Sequence, residues 1–171
     1  MAKGKWALGL EPRYFTWIIK EQLAISERPG GLARNHRKVR RTEELSWIAQ
    51  HGFTKVISLL DTPHNLTAYT EANISSEHLR LGKPDEYKLT LPPIYVTLGA
   101  LLANPTQKVL LHHEEFSDML FGVIGGFLWY TGLIKDDIQA VQTVEKVVNK
   151  SLGVNARKII AFTVAANLRK S

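Results

Sequence analysis

The sequence predicts an α/β fold with a mostly parallel central sheet and helices on both faces. Two apolar runs, "KVISLL" at 55–60 and "KVLLH" at 108–112, have the uninterrupted hydrophobicity of strands that are covered on both sides. Helical patterns separate and follow these runs, and strands that alternate with helices pair in parallel. Ligands bind such sheets at the carboxyl ends of the strands, so the loop after "KVLLH" is the first candidate site.

The composition is that of one globular domain. The chain has 171 residues, of which 44% are hydrophobic, and this is enough for a sizeable core. We predict a single domain over residues 1–171, with an N-terminal hairpin at about 15–26, a core at about 42–134 and C-terminal helices at about 136–168. Lysine and arginine outnumber aspartate and glutamate by 22 to 16, which favours anionic partners. Cysteine is absent, which excludes disulfides, thiolate nucleophiles and Cys-ligated zinc.

The first half of the chain contains a hairpin, two helices and two strands. "FTWIIKEQLAIS" at 15–26 places two short β segments around a polar turn. A helix is predicted at 42–51, with acids in its first turn and Gly52 directly after it. The strand at 55–60 follows, and after it come the polar loop "DTPHN", a short helix at 66–72 and a weaker strand in "SSEHLRL".

The second half is mainly helical. "LPPIYVTLGALLAN" predicts a helix that starts at its prolines, because proline is favoured at a helix start and the apolar residues recur at helical spacing. The strand "KVLLH" and an apolar helix follow, and two further helices begin near Asp136 and near Ala156. The apolar run from Met119 to Ile134 is shorter than the roughly 20 residues of a membrane span. The apolar stretch near the N-terminus is too short for a signal sequence, so we expect a cytoplasmic protein without a membrane partner.

In their order and spacing these segments resemble the dual-specificity and tyrosine phosphatase superfamily. The resemblance rests on "LAISERPG", "WIAQHGFTKVISL", "HLRL", "VLLHH" and "YTGLI", and it extends from about Trp17 to Asn167. It implies the dual-specificity phosphatase fold and a phosphate-binding loop after "VLLHH". In the superfamily this loop is written as histidine, cysteine, two variable residues, glycine, two variable residues and arginine.

Aligned on "VLLHH", the superfamily's histidine falls on His112, its nucleophilic cysteine on His113, its glycine on Phe116 and its arginine on Met119. Only the first of these four residues is present. The resemblance therefore implies a degenerate phosphate loop, which consists of His112, His113, Glu114, Glu115, Phe116, Ser117, Asp118 and Met119.

These departures remove the chemistry of phosphate transfer, which needs an activated nucleophile, a ring of backbone N–H groups and a guanidinium. Phe116 adds a side chain where glycine lets the backbone turn around the anion, and Met119 removes the bidentate donor. Glu114, Glu115 and Asp118 add negative charge to the loop. Two unit charges about 4 Å apart repel by roughly 4 kcal/mol at a partly solvated site, so phosphate should be repelled.

We therefore predict a pseudophosphatase, which is a catalytically inactive phosphatase-like protein that acts by binding an anionic or phosphorylated partner. We expect no cofactor and no metal. The helix after the loop still offers N–H groups at its N-terminus, and a loop carboxylate is expected to occupy them in place of phosphate.

One alternative is an unconventional phosphatase. His113 would then be the nucleophile, because histidine can form covalent intermediates. The resemblance places the general acid at Asp85, with Glu86 beside it. A metal site built from the loop's histidines and acids is a further alternative, but no metal-binding motif is present.

Another alternative is polyanion binding through "RNHRKVRR" at 34–41. The candidate cations of this segment and of the loop before it are Arg28, Arg34, Arg37, Lys38, Arg40 and Arg41. Such a cluster can hold a nucleic-acid backbone by charge. It contains no aromatic residue that could stack on a base, so we expect an acidic or phosphorylated partner rather than nucleic acid.

Overall fold

The computed structural model describes residues 9–32 and 36–169. The elements are β1 Thr16–Ile19, β2 Leu23–Ser26, α1 Lys38–Gln50, β3 Lys55–Ser58, α2 Leu66–Glu71, β4 Ser76–His78, α3 Tyr87–Leu102, β5 Val109–His112, α4 Asp118–Tyr130, α5 Asp137–Val148 and α6 Val154–Ala165. A short 3₁₀ turn at Pro84–Glu86 precedes α3. The chain divides into two compact units, the first made of Met1–Arg80 with Leu102–Phe116 and the second of Leu81–Leu101 with Ser117–Ser171.

The first unit contains all five strands in one sheet, in the order β1-β2-β5-β3-β4. β1 and β2 form an antiparallel hairpin, whereas β2, β5, β3 and β4 pair in parallel. The sheet is therefore mixed and mostly parallel, as predicted. The predicted hairpin is also confirmed, since its strands lie on either side of a turn at residues 20–22.

A buried apolar cluster joins α1 and α2 to one face of the sheet. It contains Ala24, Leu45, Ile48, Phe53, Val56, Tyr69, Ile74 and Leu110. Ala24 and Val56 are both register partners of Leu110, so three neighbouring strands contribute one residue each to the same row. Side chains alternate between the two faces of a strand, and this alternation directs all three toward the helices.

The next row on the same face is polar. Ser26 and Ser58 are both register partners of His112, and all three are buried. Each of them is the last residue of its strand. The apolar core therefore gives way to polar side chains at the carboxyl ends of the strands, where the sequence predicted a site.

Helix α1 begins at Lys38, four residues before the predicted start. The prediction placed Glu43 and Glu44 in the first turn, but Glu44 lies in the interior of the helix and is buried, with 1% of its surface exposed. Its carboxylate accepts hydrogen bonds from Arg40 Nε at 2.5 Å and from Gly30 N at 3.0 Å. Burial and these contacts, rather than the helix dipole, therefore account for this acid.

The prediction that α3 starts at its prolines is wrong. The helix begins at Tyr87, and Pro92 and Pro93 lie inside it. Proline has a helical φ but cannot donate a backbone hydrogen bond, so it weakens a helix interior. The buried residues of α3 follow a helical period from Tyr87 to Leu98, which indicates that burial of this face outweighs the lost bonds.

The second unit consists of helices. α4 is buried at every residue from 120 to 129, and it packs closely against α6. A Cβ atom on Gly122 would lie 2.9 Å from the side chain of Ile159 and 3.0 Å from the Cα atom of Ala156, so the contact requires a residue without a side chain. Asp136 caps α5 by accepting a hydrogen bond from Gln139 N, at the predicted start of that helix. Across the described residues, no helix has the length and apolar character of a membrane span.

We predict that Glu44→Ala lowers the free energy of unfolding by about 3 kcal/mol, because the substitution removes one partner of a buried ion pair and leaves the N–H of Gly30 unpaired. Urea denaturation measures this value. Glu43→Ala, at the less buried neighbouring position, is the control and should change stability by less than about 0.5 kcal/mol. Equal effects of the two substitutions would contradict the structural role of Glu44.

Candidate functional site

A cleft of about 490 Å³ lies in the first unit, beyond the carboxyl ends of the parallel strands. We call it the strand-end cleft. Its lining residues are Arg28, His36, Leu60, Asp61, Thr62, His64, Asn65, His113 and Glu114. They come from three segments, which follow β2, β3 and β5. Parallel strands bring these segments together, as expected for a ligand site in this class of sheet.

The strongest interaction in the cleft joins the segment after β2 to the segment after β5. Arg28 Nη1 donates to both carboxylate oxygens of Glu114, at 3.1 Å and 3.2 Å. The side chain of Arg28 is only 9% exposed, whereas that of Glu114 is 35% exposed. A buried guanidinium requires a counter-charge, and Glu114 supplies it.

The segment that carries Arg28 is fixed by a second group of ion pairs. Arg40 donates from Nη2 to Glu27 at 2.9 Å and from Nε to Glu44, so α1 holds the residue directly before Arg28. Gly30, on the other side, donates its N–H to Glu44. One helix therefore holds the side chain of Glu27 and the backbone N–H of Gly30, which lie on either side of Arg28.

The described cations of the basic segment, at positions 37, 38, 40 and 41, do not form a single exposed patch. Arg34 lies outside the described residues. Arg40 is engaged by Glu27 and Glu44, and Arg41 Nη1 donates to Asn65 Oδ1 at 2.6 Å. Arg37 and Lys38 are exposed. Of the anion-binding candidates, Arg28 lines the strand-end cleft. His36, from the segment at 34–41, also lines it.

His112 is buried and neutral. Its Nδ1 lies 3.2 Å from the carbonyl oxygen of His113, which can only accept, so Nδ1 carries the proton. Its Nε2 therefore accepts the hydrogen bond from the hydroxyl of Tyr69 at 3.1 Å. Burial lowers the pKa of His112 to about 4. This histidine contacts the loop through the carbonyl oxygen of His113 and does not line the cleft.

The imidazoles of His36, His64 and His113 line the cleft, and the pKa values of two of them, His113 and His36, are lowered. Burial lowers the pKa of His113, although Asp61, Glu114 and Glu115 act in the opposite direction. Burial also lowers the pKa of His36, and the positive charges of Arg28 and Arg41 add to this effect. Both rings are therefore favoured in the neutral form at neutral pH. The permanent charges of the described lining residues are the guanidinium of Arg28 and the carboxylates of Asp61 and Glu114.

The remaining loop residues have structural partners. Phe116 stacks on Tyr14 with ring centroids 5.4 Å apart. Tyr87 donates its hydroxyl to the Sδ atom of Met119 at 3.9 Å. Glu115 is exposed, and Ser117 is the N-cap of α4 without a side-chain capping bond.

Asp118 is the first residue of α4 but binds the N-terminus of another helix, and a loop carboxylate at the N-terminus of α4 stays a prediction. Its two carboxylate oxygens accept hydrogen bonds from Gly153 N at 2.9 Å and Ala156 N at 3.3 Å. Gly153 is the N-cap of α6, so Asp118 caps a different helix. The carboxylates that line the cleft belong to Asp61 and Glu114, and Glu114 pairs with Arg28.

The predicted general acid lies in the second unit, in the 3₁₀ turn at Pro84–Glu86. Asp85 is exposed, and Glu86 Oε2 accepts a hydrogen bond from Lys83 N at 2.7 Å. The catalytic role of Asp85 stays a prediction. Within residues 9–32 and 36–169, no group of three or more histidine, aspartate or glutamate side chains is arranged to hold a metal ion.

The contribution of the loop after β3 was not predicted from the sequence. "DTPHN" was recognised as a polar loop, but Asp61, Thr62, His64 and Asn65 were not predicted to line the site. The signal was available, because this loop follows a central parallel strand just as the degenerate loop does. Two adjacent parallel strands end at the same edge of a sheet, so their loops meet.

Comparison with solved structures identifies the fold. A kinase-associated phosphatase with serine in place of its catalytic-site cysteine is 16% identical, covers 94% of this chain and 98% of its own, and superposes with a TM-score of 0.75. The P. aeruginosa protein TpbA, a cysteine-to-serine variant in complex with phosphotyrosine, is 13% identical over 99% and 96% of the two chains, with a TM-score of 0.66. The chain has the fold of the dual-specificity and tyrosine phosphatases.

A third similar structure is the core catalytic domain of the PP-IP phosphatase SIW14 from S. cerevisiae in complex with citrate. It is 12% identical over 94% of this chain and 92% of its own, with a TM-score of 0.63. No family model matches the sequence, and no curated protein sequence matches it either. The predicted α/β phosphatase-like fold, with a central sheet flanked by helices, is confirmed. The residue-by-residue alignment of the degenerate loop stays a prediction.

The neutral state of His112 predicts a pH-dependent stability. An exposed histidine titrates near 6.5, so between pH 6.5 and pH 4 the unfolded chain binds a proton that the folded chain does not. The stability associated with His112 is complete above pH 6.5 and falls by about 3 kcal/mol as the pH drops to 4. Urea denaturation at several pH values measures it.

His112→Gln is the matched control, because it keeps a hydrogen-bond donor and an acceptor but cannot titrate in this range. Other histidines titrate in both proteins, so the difference between the two pH profiles isolates His112. Superimposable profiles would show that His112 is not the group that is kept neutral.

Proposed function

We propose that this protein is a phosphatase-like binding protein without phosphatase activity, and that its ligand site is the strand-end cleft. The observation that carries the proposal is the pairing of Arg28 with Glu114. Among the described lining residues Arg28 is the one with a guanidinium, and that guanidinium already holds a carboxylate. A phosphate dianion would meet Glu114 and Asp61 at close range, and each such contact at about 4 Å costs roughly 4 kcal/mol.

The chemistry of position 113 supports the same proposal. Aligned with the superfamily, this position requires a thiolate nucleophile, and the chain has an imidazole there. His113 is favoured as the neutral ring, which leaves a nitrogen lone pair, so a nucleophile exists in principle. A transferred phosphoryl group also needs its oxygens gripped, and position 119 offers a thioether instead of a guanidinium.

Two of the similar structures bear on the kind of ligand. TpbA was solved with phosphotyrosine and SIW14 with citrate. Both ligands carry oxyanion groups, which supports an oxyanion as the ligand of the strand-end cleft. In the present chain, the charges of Arg28, Asp61 and Glu114 favour a ligand with a single negative charge over a phosphate dianion. They also favour binding of a ligand over its hydrolysis.

The polyanion-binding alternative loses support from the contacts of its cations. Arg40 is held by two carboxylates and Arg41 by Asn65. Cations that are already paired within the protein cannot release counterions from a nucleic-acid backbone to the same extent as free ones. We therefore retain the cleft, and not the segment at 34–41, as the proposed binding site.

Hydrolysis of para-nitrophenyl phosphate and of a phosphotyrosine peptide tests the proposal. We expect the purified full chain to show no turnover above His113→Ala and Asp85→Asn, while the kinase-associated phosphatase with its native cysteine confirms that the assay works. Vanadate, a phosphate mimic, should not bind. Turnover that disappears in both variants would overturn the proposal and identify His113 and Asp85 as catalytic residues.

A further inference from the structure

The guanidinium of Arg28 is only partly used. Its hydrogen bonds to Glu114 both leave from Nη1. Within the described residues, Nε and Nη2 donate no hydrogen bond. Neither atom is one of the fully buried polar atoms without a hydrogen-bond partner. Nine-tenths of the side chain is buried, and the residue lines the strand-end cleft. Arg28 therefore brings a nearly buried guanidinium with two unused donor atoms to the lining of the cleft.

The two unused donors have a defined geometry. Nε and Nη2 lie on the same edge of the planar guanidinium, and their N–H groups point in parallel. This edge matches the two oxygens of a carboxylate, which bind it through two parallel hydrogen bonds. Lysine could not replace arginine here, because an ammonium group is a point charge without a fork.

We propose that the strand-end cleft binds a carboxylate on the Nε–Nη2 edge of Arg28, while Glu114 remains on Nη1. This inference rests on the proposed function, since it names the ligand chemistry of the same cleft. The carboxylate can belong to an acidic side chain or to a chain end, because both present the same two oxygens.

Charge and shape both favour a carboxylate over phosphate. A carboxylate is planar and brings one negative charge, whereas a phosphate ester brings up to two and places three oxygens around one centre. Glu114 already balances the charge of Arg28, and Asp61 adds a second carboxylate to the lining. Each additional negative charge on the ligand therefore meets more repulsion and finds no further guanidinium among the described lining residues.

Neutral polar groups complete the site without adding charge. Asn65 Nδ2 lies 3.4 Å from His36 Nε2, and Asn65 Oδ1 is fixed by Arg41. Asn65 has a left-handed backbone conformation with φ of 64°, which asparagine tolerates better than most residues. The side chain of Asn65 is therefore held at the edge of the cleft by His36 and Arg41.

The test is a titration of the isotope-labelled full chain by NMR, observed at the Nε–H resonances of the arginines. Two probes separate the two sources of carboxylate: N-acetylglycine represents a chain end, and an acetylated, amidated tripeptide with a central glutamate represents an acidic side chain. Inorganic phosphate is the third probe. We expect at least one carboxylate probe to shift the Arg28 resonance, at a concentration about tenfold below that required for phosphate.

Arg28→Lys keeps the positive charge but removes the fork, and it should weaken carboxylate binding at least about tenfold. Arg37→Lys, at an exposed position after the same loop, is the matched control and should not change binding. Glu114→Gln keeps the size and an acceptor oxygen but removes one negative charge. It should tighten carboxylate binding several-fold, and it remains informative if Arg28→Lys does not fold.

Each contrary outcome overturns the inference. An Arg28 resonance that responds to neither carboxylate shows that the edge is not a binding site. Phosphate that binds more tightly than both carboxylates shows that the cleft has the opposite preference. These failures are distinct from failure of the proposed function, which would appear as turnover that is lost in His113→Ala and Asp85→Asn and is measured separately.

Discussion

The buried charge of Arg28 is the constraint on which the strand-end cleft depends. A guanidinium with 9% of its side chain exposed is costly to leave unpaired, so the loop after β5 must bring a carboxylate to it. Glu114 meets this requirement from a position 86 residues further along the chain. The contact therefore joins two segments that the sheet alone would only place near each other.

The position of Arg28 depends in turn on α1. Arg40 holds the carboxylate of Glu27 and Glu44 holds the backbone N–H of Gly30, so contacts to α1 lie on both sides of Arg28. A donor that is fixed before a ligand arrives loses less side-chain entropy on binding than a mobile one. The basic segment at 34–41 therefore helps to position Arg28, and its paired cations form contacts within the protein.

Phe116 in the loop after β5 and Asp118 at the start of α4 both make contacts within the fold. Phe116 stacks on Tyr14, and Asp118 caps α6 through two backbone N–H groups. An acid at the start of a helix is usually assigned to that helix's own dipole. Asp118 instead serves a helix whose N-cap, Gly153, lies 35 residues away. Its negative charge is therefore accounted for by folding rather than by repulsion of a ligand.

The sequence was sufficient to predict the sheet, the hairpin and the order of the helices, because these follow from local hydrophobic periodicity and turn chemistry. It was not sufficient for the start of α3, where burial of one face outweighs the effect of Pro92 and Pro93. Arg28 and Glu114 were both predicted as candidates, but in separate hypotheses. Their pairing is a long-range contact that no local pattern encodes, and the same holds for Asn65 and Arg41.

In the proposed carboxylate site, the placement of the cation favours one kind of anion. In a loop that wraps around phosphate, backbone N–H groups and an arginine surround the anion from several sides. Here the cation is Arg28, from the loop after β2, and Glu114 binds its Nη1 atom. The donors that remain available lie on one edge of the guanidinium. An edge of this kind suits a flat, singly charged group and gives a tetrahedral dianion no enclosure. Neutral imidazoles are compatible with the cleft for the same reason. His36 and His113 add hydrogen-bonding capacity and leave the charge balance between Arg28 and its carboxylates unchanged.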